Sequence, residues 1–257
     1  MAVGEKASAV ERALLILEAL DSSRRGLNIS ELSRRLRLPK SSTHVIVLTL
    51  ERLGYVQKRA GTLYYSLGLK AYALGHSMTK NVSVSELALP HMRALVDQVH
   101  LSAQLAVLDG EQGVYIQKVE APGLIKIDTY IGRRMDLHCT AVGKVILAFG
   151  PAEVLERVLA KQVYIRHTRN TITSPKLMHR EVLRIRKFGY AVDDEEEEPG
   201  VRCVAVPIYH ANGAFAAGLS VTGTITQIPM PEVESFAVQL QKTAGAFYAA
   251  ERVAAAG

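Results

Sequence analysis

Apolar residues recur at helical spacing near the start of the chain, with Val10, Ala13, Leu14, Leu17 and Leu20 on one face, until Asp21-Ser22-Ser23 and Gly26 end the pattern. That spacing predicts a first helix of about three turns. In "LNISELSRRLRLPK" Asn28 is placed to cap a second, short helix starting near Ile29, with Glu31 reaching back and Leu27 and Leu32 at the two staple positions. A tight turn through Leu38-Pro39 leads to a third helix, capped at Ser41, with Ile46, Val47, Leu50 and Leu53 on its apolar face and Gly54 as its stop. The stretch "YVQKRAGTLYYSLG" then supplies two β-rich runs around Ala60-Gly61, a hairpin with Lys58 and Arg59 at its tip.

Two short helices joined by a tight turn form a helix-turn-helix, and a hairpin behind them reads as a wing. The second helix of such a motif lies in the major groove and reads bases with its N-terminal residues. Ser42, Thr43 and His44 are the candidates for base edges, and Lys40, Ser41 and the first-turn amides for a phosphate. Arg34, Arg35 and the wing cations Lys58 and Arg59 add backbone contacts. An ordinary αα-hairpin with solvated polar residues is the plainer alternative.

The distribution of charge bears on that choice. The net charge is +6, yet residues 1–80 hold 13 Lys/Arg and 6 Asp/Glu, or +7, whereas residues 81–257 hold 18 and 19, or −1. A small basic domain joined to a nearly neutral larger one is the pattern of a nucleic-acid binder with a separate regulatory or catalytic domain. Two cysteines are too few for a disulfide framework and no apolar run is long enough to span a bilayer, so a cytoplasmic protein without membrane attachment is expected.

Beyond the wing, "LKAYALGHSMTK" predicts a linker helix from Leu69 to about Lys80, and Ser83-Val84-Ser85-Glu86 a capping box for a helix that Pro90 should kink or interrupt. Strands are expected over Ala103–Leu108, Val114–Val119, Ile125–Tyr130, Cys203–Tyr209 and Phe215–Val221. Helices are expected from about Ala141, over 152–160 and 176–187, and from about Glu232. Short turns between neighbouring strands, with helices outside, mean an α+β domain around an antiparallel sheet.

Three features carry candidate chemistry. "TAVGK" lacks the full phosphate-loop spacing, but a helix capped by Thr140 leaves the amides of Ala141 and Val142 for a small carboxylate, or simply starts beneath a loop. His138, Cys139 and Cys203 invite a thiol or zinc reading. Without metal-type spacing or an evident oxyanion site, neither a metal nor a cofactor nor catalysis is expected. The six consecutive carboxylates Asp193 to Glu198 stand before an apolar run, and Glu195 to Glu198 read as a solvated loop.

"ERALLILEAL", "ISELSRRLRLPKSSTHVIVLTLERLGYV", "YSLG", "MDLHCTAVGKVILA", "TRNTIT", "IRKFGYAVDDEE" and "GVRCVAVPI…NGAFAAGLSVTG" occur in an order that resembles the IclR family of bacterial transcriptional regulators, over nearly the whole chain. The resemblance implies a winged helix-turn-helix domain (1–68), a linker helix (69–80) and an effector-binding and oligomerisation domain of GAF-like fold (81–257). It further implies homodimers, often paired into tetramers. Position by position it points to an effector pocket formed by Asp193, Cys203, Ser220, Thr222, Ala141 and Val142, with Leu124 as an apolar wall. Two departures stand out: Val45 where relatives often have arginine, and Asp136 where they commonly have proline. The expected function is a DNA-binding regulator, not an enzyme, that binds a double-stranded operator under control of a small organic acid. A thiol-dependent enzyme on a GAF-like domain, with an accessory nucleic-acid-binding domain, is the alternative.

Overall fold

Asn28 accepts a hydrogen bond from the Glu31 amide at 2.9 Å, and the Glu31 carboxylate accepts from the Asn28 amide at 3.0 Å. This reciprocal cap starts the second helix where the sequence places it. The computed structural model describes residues 8–23, 25–80, 83–123, 129–161 and 164–254. They fall into two units, Met1–Asn81 and Val82–Gly257.

The first unit contains α1 (Ala9–Asp21), α2 (Ile29–Leu36), α3 (Lys40–Arg52), the antiparallel pair β1 (Val56–Lys58) and β2 (Tyr65–Leu67), and α4 (Leu69–Lys80). Its core joins Ile16, Leu20, Leu27, Leu32, Val47 and Tyr65. Gly26 sits at φ +77°, and a Cβ there would lie 2.4 Å from the Tyr65 carbonyl oxygen, so only glycine lets Leu27 bridge to Tyr65. Two expectations are corrected. The cap of α3 is Pro39, not Ser41, and the buried stripe of α1 is Ile16, Ala19 and Leu20, leaving Val10 and Leu14 exposed.

In the second unit α5 (Ser83–Val99) runs through Pro90 without a break. Ala88, Met92, Leu95 and Val96 are buried in the core around it, which holds the helix across the missing hydrogen bond. The other elements are β3 (Ser102–Asp109), β4 (Gln112–Val119), β5 (Arg134–Met135), α6 (Ala141–Phe149), α7 (Ala152–Ala160), α8 (Pro175–Phe188), β6 (Ala191–Asp194), β7 (Val201–Tyr209), β8 (Phe215–Thr224) and, after a 3-10 turn, α9 (Val233–Ala254). Six strands form one antiparallel sheet in the order β5-β4-β3-β8-β7-β6. The strand expected over Ile125–Tyr130 lies mostly outside the described residues, and Thr129 and Tyr130 are not in a strand.

Strand alternation sorts the two faces of this sheet. Leu105, Val204, Val206, Leu219 and Val221 share a core with α5 and α9. Ala106, Ala205 and, at its margin, Cys203 share the other with α6, α7 and α8. Gly218 on β8 faces α6, where a Cβ would be in van der Waals contact with Val142 at 3.4 Å.

Leu32→Ala, at a fully buried position, should lower the opening free energy of the first unit by ~2–5 kcal/mol, and Asn28→Ala by ~1 kcal/mol. Hydrogen exchange of the α1–α3 amides measures both.

Candidate functional site: a buried polar row and a basic helix-turn-helix

The N-terminal turn of α3 presents Lys40, Ser41, His44 and Val45 to solvent. Pro39 offers no side-chain cap, so the first amides of α3 point out of the helix uncapped at its positive end. Ser42 is half-buried and accepts from Arg12 Nη1 at 3.2 Å, tying α1 to α3. Thr43 is corrected as a base reader: it is fully buried and its hydroxyl donates to the Pro39 carbonyl at 3.0 Å. Arg34 and Arg35 are exposed at the end of α2, with Arg35 donating to Ser22 Oγ at 2.8 Å, and Lys58 and Arg59 are exposed on the wing.

In the second unit sheet register assembles the other site. Asp193 pairs with Cys203 and Cys203 with Thr222; one step along, Ala205 pairs with Ser220 and Ser220 with Gln104. Leu105, Leu219 and Val221 point to the opposite core, so Gln104, Ser220 and Thr222 point toward α6. Both hydroxyls donate to Gln104 Oε1, Ser220 at 3.2 Å and Thr222 at 2.8 Å. Gln104 Nε2 is buried without a partner. Whichever way the amide is turned, one end is held by the hydroxyls and the other is left over.

The N-terminus of α6 faces this row, built as the sequence suggests. Thr140 Oγ1 accepts from the Gly143 amide at 3.1 Å, and a Cβ on Gly143 would lie 2.5 Å from that same oxygen. Ala141 and Val142 are buried at the first two positions. Leu124 lies outside the described residues.

The acidic run is not a solvated loop, and that expectation is corrected. Lys144 on α6 is 1% exposed, and its ammonium donates to Glu196 Oε1 at 2.5 Å and stands 3.8 Å from Glu181 of α8. A buried ammonium requires carboxylates, and it draws Glu196 under the loop. Glu197 pairs with Arg133 at 3.1 Å and Asp194 with Arg202 at 2.5 Å, while Glu195 accepts from the Gly200 amide at 2.8 Å; Glu198 alone of the run is exposed. Asp193 Oδ1 accepts from the Glu196 amide at 2.7 Å, and burial pushes its carboxyl up to about 7 against the pull of Lys144.

Burial pushes the Cys203 thiol well up, and the neighbouring Asp193 carboxylate adds to this. Burial does the same to Cys139, followed by Glu197 and Asp136. Thiols held protonated in this way are poor nucleophiles, which disfavours the thiol-enzyme alternative. His138, Cys139 and His167 also converge: one ring nitrogen of each histidine and the cysteine sulfur lie within 4.8 Å of one another.

Sequence reasoning missed Gln104, Lys144, Glu196 and His167. The first two carry a signal, a polar residue inside the apolar runs "SAQLAVLD" and "TAVGKVILAF".

A basic helix-turn-helix unit followed in the chain by an α+β unit with a buried polar row is the organisation of a transcriptional regulator. The chain belongs to the IclR family. Residues 76–248 match the family model "Bacterial transcriptional regulator IclR C-terminal" and residues 9–60 match "IclR helix-turn-helix domain". It is 34% identical to the HTH-type transcriptional regulator XynR of Escherichia coli over 91% of this chain and 92% of that one. The crystal structure of Thermotoga maritima IclR superposes with a TM-score of 0.79 at 31% identity, covering 95% of this chain and 98% of that one. An IclR homolog from Microbacterium hydrocarbonoxydans complexed with 4-hydroxybenzoate superposes with a TM-score of 0.84 at 25% identity, covering 96% and 100%.

Lys144→Met should destabilise the second unit by ~3–5 kcal/mol, because Glu196 is left buried without its cation, and adding Glu196→Leu should restore most of the loss. Urea denaturation measures both. The folded state keeps the Asp193 proton between the ordinary 3.8 and about 7, where the unfolded chain has released it. The stability this group contributes is therefore full below 3.8 and lost as pH rises through 7. Relative to Asp193→Asn, the parent should lose up to ~1.4 kcal/mol per pH unit across that window, measured by thermal melts.

Proposed function

We propose that the protein is an operator-binding regulator whose DNA affinity is set by a small organic acid held between the α6 N-terminus and the polar row of the sheet. The observation that carries this reading is Gln104, a buried amide with one end unpartnered, beside a helix start whose first amides lie inside the domain. A carboxylate suits the helix amides, and a hydroxyl or carbonyl at the other end of the ligand suits Gln104. The neighbour with bound 4-hydroxybenzoate carries both groups on one molecule, which supports the same ligand class here. Asp193 and Cys203 close the row, and Leu124 is assigned as the apolar wall.

On the DNA side Lys40, Ser41 and His44 head the recognition helix, with Ser42 behind them. Arg34, Arg35, Lys58 and Arg59 address the backbone. Val45 and Leu48 are exposed on the same helix, where apolar contact with thymine methyl groups fits them. The exposed Val10 and Leu14 of α1 support association into a homodimer or tetramer. No helix among the described residues is long and apolar enough to cross a membrane. We place the regulator in the cytoplasm with its DNA.

Calorimetric titration with 4-hydroxybenzoate and a panel of short aliphatic and aromatic acids should reveal a ligand whose affinity falls at least ~10-fold in Gln104→Leu and in Thr222→Ala. Operator affinity without ligand should stay unchanged. Full affinity in both variants sinks the site. In gel shifts across a salt series, Lys40→Ala should reduce the salt slope by about 1.

A further inference from the structure

We propose that His138, Cys139 and His167 form a binding site for a single divalent transition-metal ion of the zinc class, with Asp136 and the Ile165 carbonyl orienting the two rings from behind. The site lies outside the hydrogen-bonded row assigned to the effector and stands independently of that assignment. Its three ligand atoms, one imidazole nitrogen from each histidine and the cysteine sulfur, already lie within 4.8 Å of one another. Tetrahedral zinc with ordinary bond lengths spaces such ligands ~3.5 Å apart, so they must draw together by about an ångström. His167 has room to do so, because it sits in the loop between α7 and α8 with its ring partly exposed.

The hydrogen bonds of the two rings fix their tautomers. His138 Nε2 lies 2.9 Å from the Ile165 carbonyl oxygen, which can only accept, so Nε2 carries the proton and Nδ1 keeps its lone pair. His167 Nε2 lies 2.9 Å from Asp136 Oδ2, a carboxylate–histidine pairing that fixes the tautomer and orients the ring. A cavity of about 160 Å³ lined by Asp136, His138, Lys161 and Tyr164 adjoins the cluster and leaves space for a water as fourth ligand.

Binding converts the thiol to a thiolate. The Cys139 S–H bond breaks, its electron pair forms the sulfur–metal bond, and the proton passes to solvent, with no change of oxidation state.

The test uses the full chain without a histidine tag, stripped with a chelator and titrated with Co²⁺, reading the thiolate-to-cobalt charge-transfer absorption. One Co²⁺ per chain with that band is expected, with the band lost in Cys139→Ser. His167→Gln alters a partly exposed ring and spares the core, and it should weaken binding at least ~10-fold; Asp136→Asn should weaken it ~10–100-fold. Absence of the band in the parent, its persistence in Cys139→Ser, or unchanged affinity in His167→Gln overturns the site.

Discussion

A charged ammonium inside an apolar helix is the constraint around which the second unit is arranged. Lys144 is surrounded on α6 by Val142, Val145, Ile146 and Leu147, all buried, so its charge must be met from elsewhere in the chain. Glu196 meets it from the loop after β6 and Glu181 from α8, which ties together three segments far apart in sequence. Because Glu196 is drawn inward, its amide and that of Glu197 turn toward Asp193, and Asp193 is fixed at the end of the row through Cys203 and Thr222. The left-handed backbone at Glu195, φ 57°, is the strain that this inward turn stores.

The same low-dielectric setting separates recognition from catalysis. Burial pushes the Asp193 carboxyl and both thiols toward their neutral forms. Groups in that condition donate and accept hydrogen bonds well but are poor attackers. Ser220 and Thr222 are matched to Gln104 and Thr140 to Gly143. The free end of the Gln104 amide is left over, as are Arg12 Nε, Thr129 Oγ1 and Glu196 Oε2 among the described residues, and of these it is the one that lies in the polar row.

Local signals in the sequence were sufficient where the structure is decided locally. The capping box at Asn28, the Thr140 cap and the hairpin around Ala60-Gly61 are properties of a few adjacent residues, and each forms as its pattern dictates. Ser41 failed as a cap because Pro39 already fixes the backbone for the helix entry and turns Ser41 outward. Thr43 failed as a base reader because polarity does not reveal which side of a helix a hydroxyl occupies; its bond to the Pro39 carbonyl satisfies it inside. Non-local pairings were invisible for a related reason. No spacing rule connects Lys144 to Glu196 across 52 positions, or His167 to Asp136 across 31. Their only trace was a charge or amide in the wrong place, as with Lys144 and Gln104 inside apolar runs. Glu195 to Glu198 misled because a carboxylate run is ordinarily solvated, whereas here Arg133, Lys144 and a backbone amide each claim one member.

The energetic scale of regulation follows from these groups. A ligand changes DNA affinity only through the difference between its affinities for two states of the protein. Tenfold in operator affinity corresponds to ~1.4 kcal/mol, and one hydrogen bond to a buried amide contributes ~1 kcal/mol, or more when the alternative is an unsatisfied group. The polar row lies on the α6 face of the sheet, whereas α5, which follows α4 in the chain, packs on the opposite face with α9. Gln104 lies on β3, the strand that directly follows α5 in the chain. On the proposed reading, a ligand that satisfies the free end of Gln104 in one state of the protein and not in another supplies differential energy of the order that a tenfold change in operator affinity requires.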